Sequence, residues 1–157
     1  MKRNLILFSC LALLLGGCKK NHDNSSSSTW TFKGTPYKAI AVTYVFGGSY
    51  GNYGLLTATA TTGVPNARNI LIFQFFPPPT SSGEMLITDS GDPNTIIVSV
   101  EDLTTAIGIG YVSGKTSVKA SVTANGKISV SFPGSIWLYN NRAPFDSAEL
   151  SVGTISQ

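Results

Sequence analysis

The chain has 157 residues and a formal net charge of +3, from 11 basic and 8 acidic side chains. Residues 29–157 contain as many basic as acidic side chains, so this part lacks the basic field that proteins use to bind nucleic-acid phosphates. Cysteine occurs only as Cys10 and Cys18 and histidine only as His22, which excludes disulfides, cysteine nucleophiles, histidine-based triads and conventional zinc sites from residues 29–157.

The N-terminus has the pattern of a secretory signal peptide, with basic residues at the start and an apolar segment over residues 5–15. This segment is shorter than the ~20 apolar residues of a membrane-spanning helix. It ends in Leu15-Gly16-Gly17-Cys18, which resembles the lipobox of bacterial lipoproteins. The resemblance implies cleavage between Gly17 and Cys18, a diacylglycerol thioether on the Cys18 sulfur and an acyl chain such as palmitate on the new amino group.

Residues 19–28 are polar and end in a run of serines, which predicts a flexible tether in which His22 is a spacer residue. The predicted organisation is a signal peptide at 1–17, a lipidated cysteine and tether at 18–28, and a single domain at 29–157. We expect a protein of the cell envelope that is anchored by lipid to the outer membrane without crossing it. Both the periplasmic and the surface-exposed side fit this expectation.

The domain is predicted to be all-β. Leu56, Ala58 and Ala60 alternate with threonines, which is the period of a half-buried strand. The segment 69–76 is apolar on both faces and suits a central strand covered on both sides. Similar alternating runs occur at 37–46, 95–101, 117–123, 127–132 and 149–156. About ten short strands at intervals of about 8 to 12 residues predict an antiparallel sandwich or barrel after the cleaved signal helix.

One hairpin is predicted to the residue. A three-residue loop at 124–126 pairs Val122 with Ile128 and keeps the apolar residues of both strands on one face. We therefore predict a type I turn with a bulge, in which Gly126 is left-handed.

The layout of the mature chain is similar to that of small β-sandwich lipoproteins of unknown function from the Bacteroidetes. The resemblance rests on the lipobox and on residues 29–32, 79–84 and 150–155. Because these are strand and turn patterns, they imply a fold and no catalytic residue.

Residues 89–94 form the first candidate site. Asp89, Asp92 and Asn94 place oxygen donors in one loop between strands, and a hard cation such as Ca²⁺ prefers such ligands. The same residue types with Gly91 and Pro93 are ordinary turn formers, so a plain hairpin loop is the alternative.

The second candidate is the glycine-rich segment 47–53 with Tyr44, Phe46, Tyr50 and Tyr53. Glycines let a loop approach a ligand, and tyrosine rings stack while their hydroxyls bond, which suits a glycan or a protein edge. The alternative is that the rings cover the core. The same two interpretations apply to Trp30 and Trp137.

The remaining candidate for catalysis is a pair of carboxylates, as in glycoside hydrolases. Glu101 and Asp102 are neighbours, so on a strand they point to opposite faces and do not form a glycosidase pair. We expect that the protein is not an enzyme and that it binds no cofactor. The two functional hypotheses are a lipid-anchored module that binds a glycan or another small ligand, and a structural or assembly component that contacts envelope proteins through a sheet face or edge. The predicted partners are the membrane and a glycan or envelope protein, and no nucleic acid.

Overall fold

A computed structural model describes residues 28–47, 52–103, 109–114, 116–124, 126–140 and 145–157. The predicted signal peptide, Cys18 and residues 19–27 of the tether lie outside the described residues, as do Tyr50 and Asn125 of the predicted loops. Among the described residues, no helix is long and apolar enough to cross a membrane.

The described part of the chain forms thirteen strands and no helix. In chain order they are β1 (Thr29–Phe32), β2 (Thr35–Lys38), β3 (Ala41–Gly47), β4 (Tyr53–Thr61), β5 (Arg68–Phe76), β6 (Gly83–Ile87), β7 (Thr95–Asp102), β8 (Ile109–Ser113), β9 (Lys119–Ala124), β10 (Ile128–Ser131), β11 (Ser135–Asn140), β12 (Asp146–Val152) and β13 (Thr154–Ser156).

Hydrogen bonds join these strands into one sheet that is sandwich-like and not closed into a barrel. The main path runs β13-β10-β9-β6-β7-β8-β11-β12-β1-β2, and β5, β4 and β3 follow in turn from the other side of β7. The sheet is mixed, because β6 pairs in parallel with β7, with Leu86 opposite Thr95. The predicted all-β fold is therefore confirmed in its sandwich form, with one parallel pairing in an otherwise antiparallel set.

The strands outnumber the predicted ten because the chain changes partner within single apolar runs. The run 37–46 divides where the Ala39 amide donates to Ser28 and the Ile40 amide donates to Thr59, so that β2 pairs with β1 and β3 with β4. The run 149–156 divides at Gly153 into β12 and β13. Side-chain alternation continues through such a corner, so it does not reveal the change of partner.

The core lies on the inner face of the strands. The predicted alternation of β4 is confirmed, since Leu56, Ala58 and Ala60 are buried. β5 is central as predicted, between β4 and β7, and its inward side chains are fully buried. Its second face is covered less than predicted, because Ile70 and Ile72 are only partly buried.

The predicted hairpin forms with a different register. Val122 lies opposite Val130 and Ala124 opposite Ile128, so the loop comprises residues 125–127 and the predicted pairing of Val122 with Ile128 is wrong. The two registers differ by two residues and point the same side chains inward, so the apolar pattern did not discriminate between them. Gly126 has a φ of 68°, which confirms its left-handed conformation.

The conformation of Gly126 leads to a stability prediction. We expect Gly126→Val to lower the free energy of unfolding by about 1–3 kcal/mol, because a β-branched residue is strained at positive φ. The matched control is Gly134→Val, since an added Cβ at Gly134 meets no atom within 4 Å and its φ is not left-handed. Denaturant unfolding of both variants measures the difference. Equal midpoints for the two variants would contradict the assigned turn.

Candidate ligand-binding face

Two exposed aromatic side chains lie on the outer face of β11. Leu138 points into the core, so its neighbours Trp137 and Tyr139 point outward. Trp137 is 51% exposed and Tyr139 is 45% exposed. Their Cα atoms are two residues apart along a strand, about 7 Å, so the rings flank one stretch of surface.

The neighbouring strand β12 adds hydroxyl groups and a carboxylate beside these rings. Glu149 lies opposite Trp137, and Ser147 lies opposite Tyr139. Ser135 precedes Trp137 on the same face, and its Oγ donates a hydrogen bond to Glu149 Oε1. The carboxylate is thereby oriented, while it stays open to solvent.

The surface continues onto β1 and β2. Ser151 lies opposite Thr31, and Thr31 lies opposite Pro36, so these side chains share the outer face with Ser135. A shallow hollow of about 440 Å³ is lined there by residues that include Thr29, Thr31, Pro36, Lys38 and Ser151. Four adjacent strands span about 14 Å from β11 to β2.

We call this surface the aromatic-hydroxyl face. It comprises the outward side chains Ser135, Trp137 and Tyr139 of β11, Ser147, Glu149 and Ser151 of β12, Thr29 and Thr31 of β1, and Pro36 and Lys38 of β2. Within this set only Glu149 and Lys38 are charged, and their charges are of opposite sign. The face therefore offers ring surfaces and neutral hydroxyls more than an electrostatic field.

The ring of Tyr139 packs into the space left by the missing side chain of Gly114. A Cβ added to Gly114 would lie 2.3 Å from Cε2 of Tyr139, so the ring occupies the space that a side chain would take. Tyr139 also lies opposite Val112 of β8. A ring that is already positioned loses little conformational entropy when a ligand stacks on it.

The aromatic-hydroxyl face was not among the predicted sites, although a signal for it was present. In Ser135-Ile136-Trp137-Leu138-Tyr139 the aliphatic residues alternate with Trp137 and Tyr139, which assigns the two aromatic residues to the outer face. No sequence signal indicated that β1 and β2 belong to the same face, because they are distant in sequence from β11 and β12. The two tryptophans differ as a result: Trp137 is exposed, whereas Trp30 is 2% exposed and belongs to the core.

The described residues of the predicted aromatic loop are divided between the two faces of the sheet. Tyr44 and Phe46 point inward, since Tyr44 lies opposite buried Leu56, while Tyr53 points outward and contacts the ring of Phe76. Phe46 is 73% exposed because β3 is at the margin of the sheet.

Two of these tyrosines cover glycines of the β3–β4 hairpin. A Cβ on Gly54 would lie 2.2 Å from the Tyr44 hydroxyl oxygen, and a Cβ on Gly47 would lie 1.9 Å from a ring carbon of Tyr53. The Tyr44 hydroxyl is buried with no hydrogen-bond partner among the described residues, and burial raises the pKa of Tyr44. Both rings therefore pack over the backbone of the hairpin.

The predicted cation loop is a turn held by its own hydrogen bonds. Asp92 Oδ2 accepts from Ser90 Oγ at 2.6 Å, and Thr95 Oγ1 donates to the Asp92 carbonyl at 2.6 Å. Asn94 has a φ of 64°, and Asp89, Asp92 and Asn94 are all exposed. Among the described residues, no group of three or more His, Cys, Asp or Glu side chains is arranged to hold a metal ion.

The adjacent carboxylates of β7 lie as expected from strand geometry. Glu101 is opposite outward Ile70, whereas Asp102 is opposite buried Asn69. Asn69 Oδ1 accepts from the indole N–H of Trp30 at 2.8 Å. Burial, and then the charge of Asp102, raise the pKa of Tyr37, which stacks on Trp30. Asp102 is therefore directed into the interior, away from Glu101.

The structure brings together a lysine, a tyrosine and a carboxylate that sequence reasoning missed. Lys33 Nζ donates to Asp146 Oδ2 at 2.6 Å, and the Tyr111 hydroxyl donates to the same oxygen at 3.0 Å. Lys33 and Gly34 have φ values of 52° and 75°, which form a tight turn that carries the ammonium group over the Tyr111 ring. These residues are 35 to 113 positions apart, so no local pattern links them.

The charges in this cluster stabilise each other. Desolvation lowers the pKa of Lys33, but the hydrogen bonds to Asp146 and Tyr111 outweigh it and raise that pKa above its usual value. The hydrogen bond from Lys33 holds the pKa of Asp146 below its usual value. These contacts join the turn after β1 to β8 and to β12.

Comparison of the chain with protein-family models, curated proteins and solved structures gave no match.

The Lys33–Asp146 pair leads to a pH-dependent prediction. Asp146 has a lower pKa in the folded chain than in the unfolded chain, so its contribution is present above the unfolded pKa and is lost as pH falls through the folded pKa. We expect Asp146→Asn to have a lower Tm than the wild type at pH 7, and the difference to shrink in acid and in high salt.

Thermal unfolding between pH 2 and pH 8 measures this difference. The matched control is Glu84→Gln, which removes the more exposed pair with Lys119 and is expected to change Tm less. A Tm difference for Asp146→Asn that is constant across this pH range would contradict the assigned pairing.

Proposed function

We propose that the protein is a lipid-anchored envelope protein that binds a glycan through the aromatic-hydroxyl face. The observation that carries the proposal is the exposure of Trp137 and Tyr139 on the same outer face as a hollow lined in part by the hydroxyl-bearing residues Thr29, Thr31 and Ser151. Sugar rings present C–H faces that pack on aromatic rings, and their edges carry hydroxyls that need hydrogen-bond partners. The face offers both kinds of contact.

The geometry favours a chain of sugars over a compact small molecule. The hollow is shallow, and the face extends for about 14 Å across four strands. A small ligand would leave most of its surface in water on such a face, whereas compact ligands bind in pockets that bury most of them. A linear glycan lying across β11, β12 and β1 would contact Trp137, Ser151 and Thr31 in succession.

The position of the tether is compatible with this function. Ser28 ends the predicted tether, and its side chain exchanges hydrogen bonds with the backbone of Ser156. If the remaining nine residues of the predicted tether, 19–27, behave as a flexible chain, they reach roughly 15 to 18 Å, which is enough to hold the domain clear of lipid headgroups. The anchor then keeps the face near the membrane without covering it.

Substitution of Trp137 tests the glycan site. We expect Trp137→Ala and Tyr139→Ala each to weaken binding to a soluble polysaccharide by at least about tenfold, because central aromatic contacts carry most of the energy of such interfaces. The matched control is Phe46→Ala, which removes another exposed aromatic ring, on β3 in the β4–β5 branch of the sheet. Affinity electrophoresis against a polysaccharide panel compares the three variants.

Tryptophan fluorescence provides a second readout of the same site. Trp30 is buried, so only Trp137 is open to an aqueous quencher. A bound glycan should shield Trp137 and reduce quenching, and Trp137→Phe should abolish this effect. Binding that survives Trp137→Ala but is lost in Phe46→Ala would contradict the face and favour the β3–β4 hairpin.

The lipid anchor is tested through the two cysteines. We expect Cys18→Ser to abolish incorporation of labelled lipid and to release the protein from the membrane fraction, because the thioether has no other acceptor in the mature chain. Cys10→Ser is the matched control and should keep the lipid, since Cys10 lies in the predicted signal. Incorporation of label into Cys18→Ser would contradict the assigned lipobox.

The assembly hypothesis is supported by a different feature of the sheet, the edge of β3. It does not compete for the aromatic-hydroxyl face, because β3 lies on the β4–β5 branch of the sheet.

A further inference from the structure

We propose that the edge of β3 pairs with β3 of a second copy of this chain, in antiparallel orientation about a two-fold axis. Among the described strands, β3 pairs only with β4. Within the described part of the chain, its other side presents backbone N–H and C=O groups that can continue the sheet.

The edges of the sheet differ in how well they are protected against such pairing. β2, at one end of the path, has four residues and contains Pro36, which has no N–H to donate, and Lys38, whose charge resists pairing. β13, at the other end, has only three residues. β3 has seven residues, AVTYVFG, with no charge and no proline. It is the longest of these edges and lacks the usual protective features.

Apolar side chains project from this edge on both faces. Phe46 is 73% exposed on the inner side and Val45 is 52% exposed on the outer side. Val42 and Tyr44 are partly buried beside Phe46, against the core. An edge strand with this composition gains free energy when another strand covers it.

The sequence of β3 is compatible with a second copy of itself. A two-fold axis at Tyr44 places Val42 of one copy opposite Phe46 of the other, and Thr43 opposite Val45. The exposed Phe46 ring of one copy then covers the smaller Val42 side chain of the other copy, on the inner side of the strand. This is the self-complementarity that an isologous interface requires.

Charge also permits this pairing. Two identical strands bring like charges close together whenever they carry a charge near the axis, and β3 carries none. Residues 29–157 are neutral as a whole, so two copies approach each other without net repulsion. A basic or acidic partner would gain no electrostatic advantage at this edge.

Disulfide trapping in the intact, membrane-bound protein tests the proposal. In Tyr44→Cys the two substituted positions lie opposite each other across the axis, with Cα atoms about 4.5–5.5 Å apart, which a disulfide can bridge. The mature chain contains no other free thiol if Cys18 is lipidated. We expect mild oxidation to convert most of the protein into a reducible species of twice the monomer mass.

Two further variants control the experiment. Thr123→Cys places a thiol at an exposed threonine of β9, which is paired on both sides by β6 and β10, and it should remain monomeric. Val45→Lys added to Tyr44→Cys puts charge at the edge and should reduce the dimer at least about tenfold. If Tyr44→Cys does not accumulate, co-expressed Thr43→Cys and Val45→Cys chains should crosslink, because the register places them opposite each other.

The outcomes separate the possible occupants of the edge. A monomer under all conditions overturns the proposal. A reducible adduct of another mass also overturns it and indicates a different protein at the edge. Because Trp137 lies on another part of the sheet, loss of glycan binding in Trp137→Ala and loss of crosslinking are independent results.

Discussion

The packing of β1 against the central strands is the contact on which the rest of the structure depends. The indole of Trp30 lies in the core and donates to Asn69 of β5, while the ring of Phe32 meets Tyr111 of β8 edge to face. Burial of these two rings contributes several kcal/mol, at about 25 cal/mol per Å² of apolar surface. The same strand turns Thr29 and Thr31 outward, so the contact that builds the core also positions part of the aromatic-hydroxyl face.

The inner and outer faces of the sheet are used differently. The inner face is filled by aliphatic and aromatic side chains, and Asn69 is among the few polar residues admitted. The outer face carries hydroxyls, two exposed aromatic rings and few charges along β11, β12 and β1. A surface of this kind interacts with a partner through stacking and hydrogen bonds, with little dependence on salt.

The two proposals reinforce each other. If β3 pairs across a two-fold axis, each dimer carries two aromatic-hydroxyl faces on separate parts of the sheet. A polymeric glycan that reaches both faces gains avidity without any new contact, because the second binding event is intramolecular. A shallow face with weak affinity for a single sugar chain would then retain a polymer effectively.

Alternation along the strands was sufficient to predict the all-β class, the inward residues of β4 and the opposite directions of Glu101 and Asp102, and the turn chemistry of the hairpin predicted the left-handed Gly126. Alternation was insufficient to predict which strands pair and in which register. The loop of the β9–β10 hairpin lies one residue later than predicted, and β2 separates from β3 within a single apolar run, because a shift of two residues or a change of partner leaves the alternation intact.

The sequence by itself determined which side chains face inward, since that depends on a local period of two residues. It also determined the resemblance to a lipobox and the absence of charge on β3, which are matters of composition and order. Only the tertiary structure decided that Trp30 is buried, that Lys33 meets Asp146, and that β11, β12, β1 and β2 form one surface. These contacts join residues that are distant in the chain. They depend on which strands pack together, and no local sequence pattern specifies the partner of a strand.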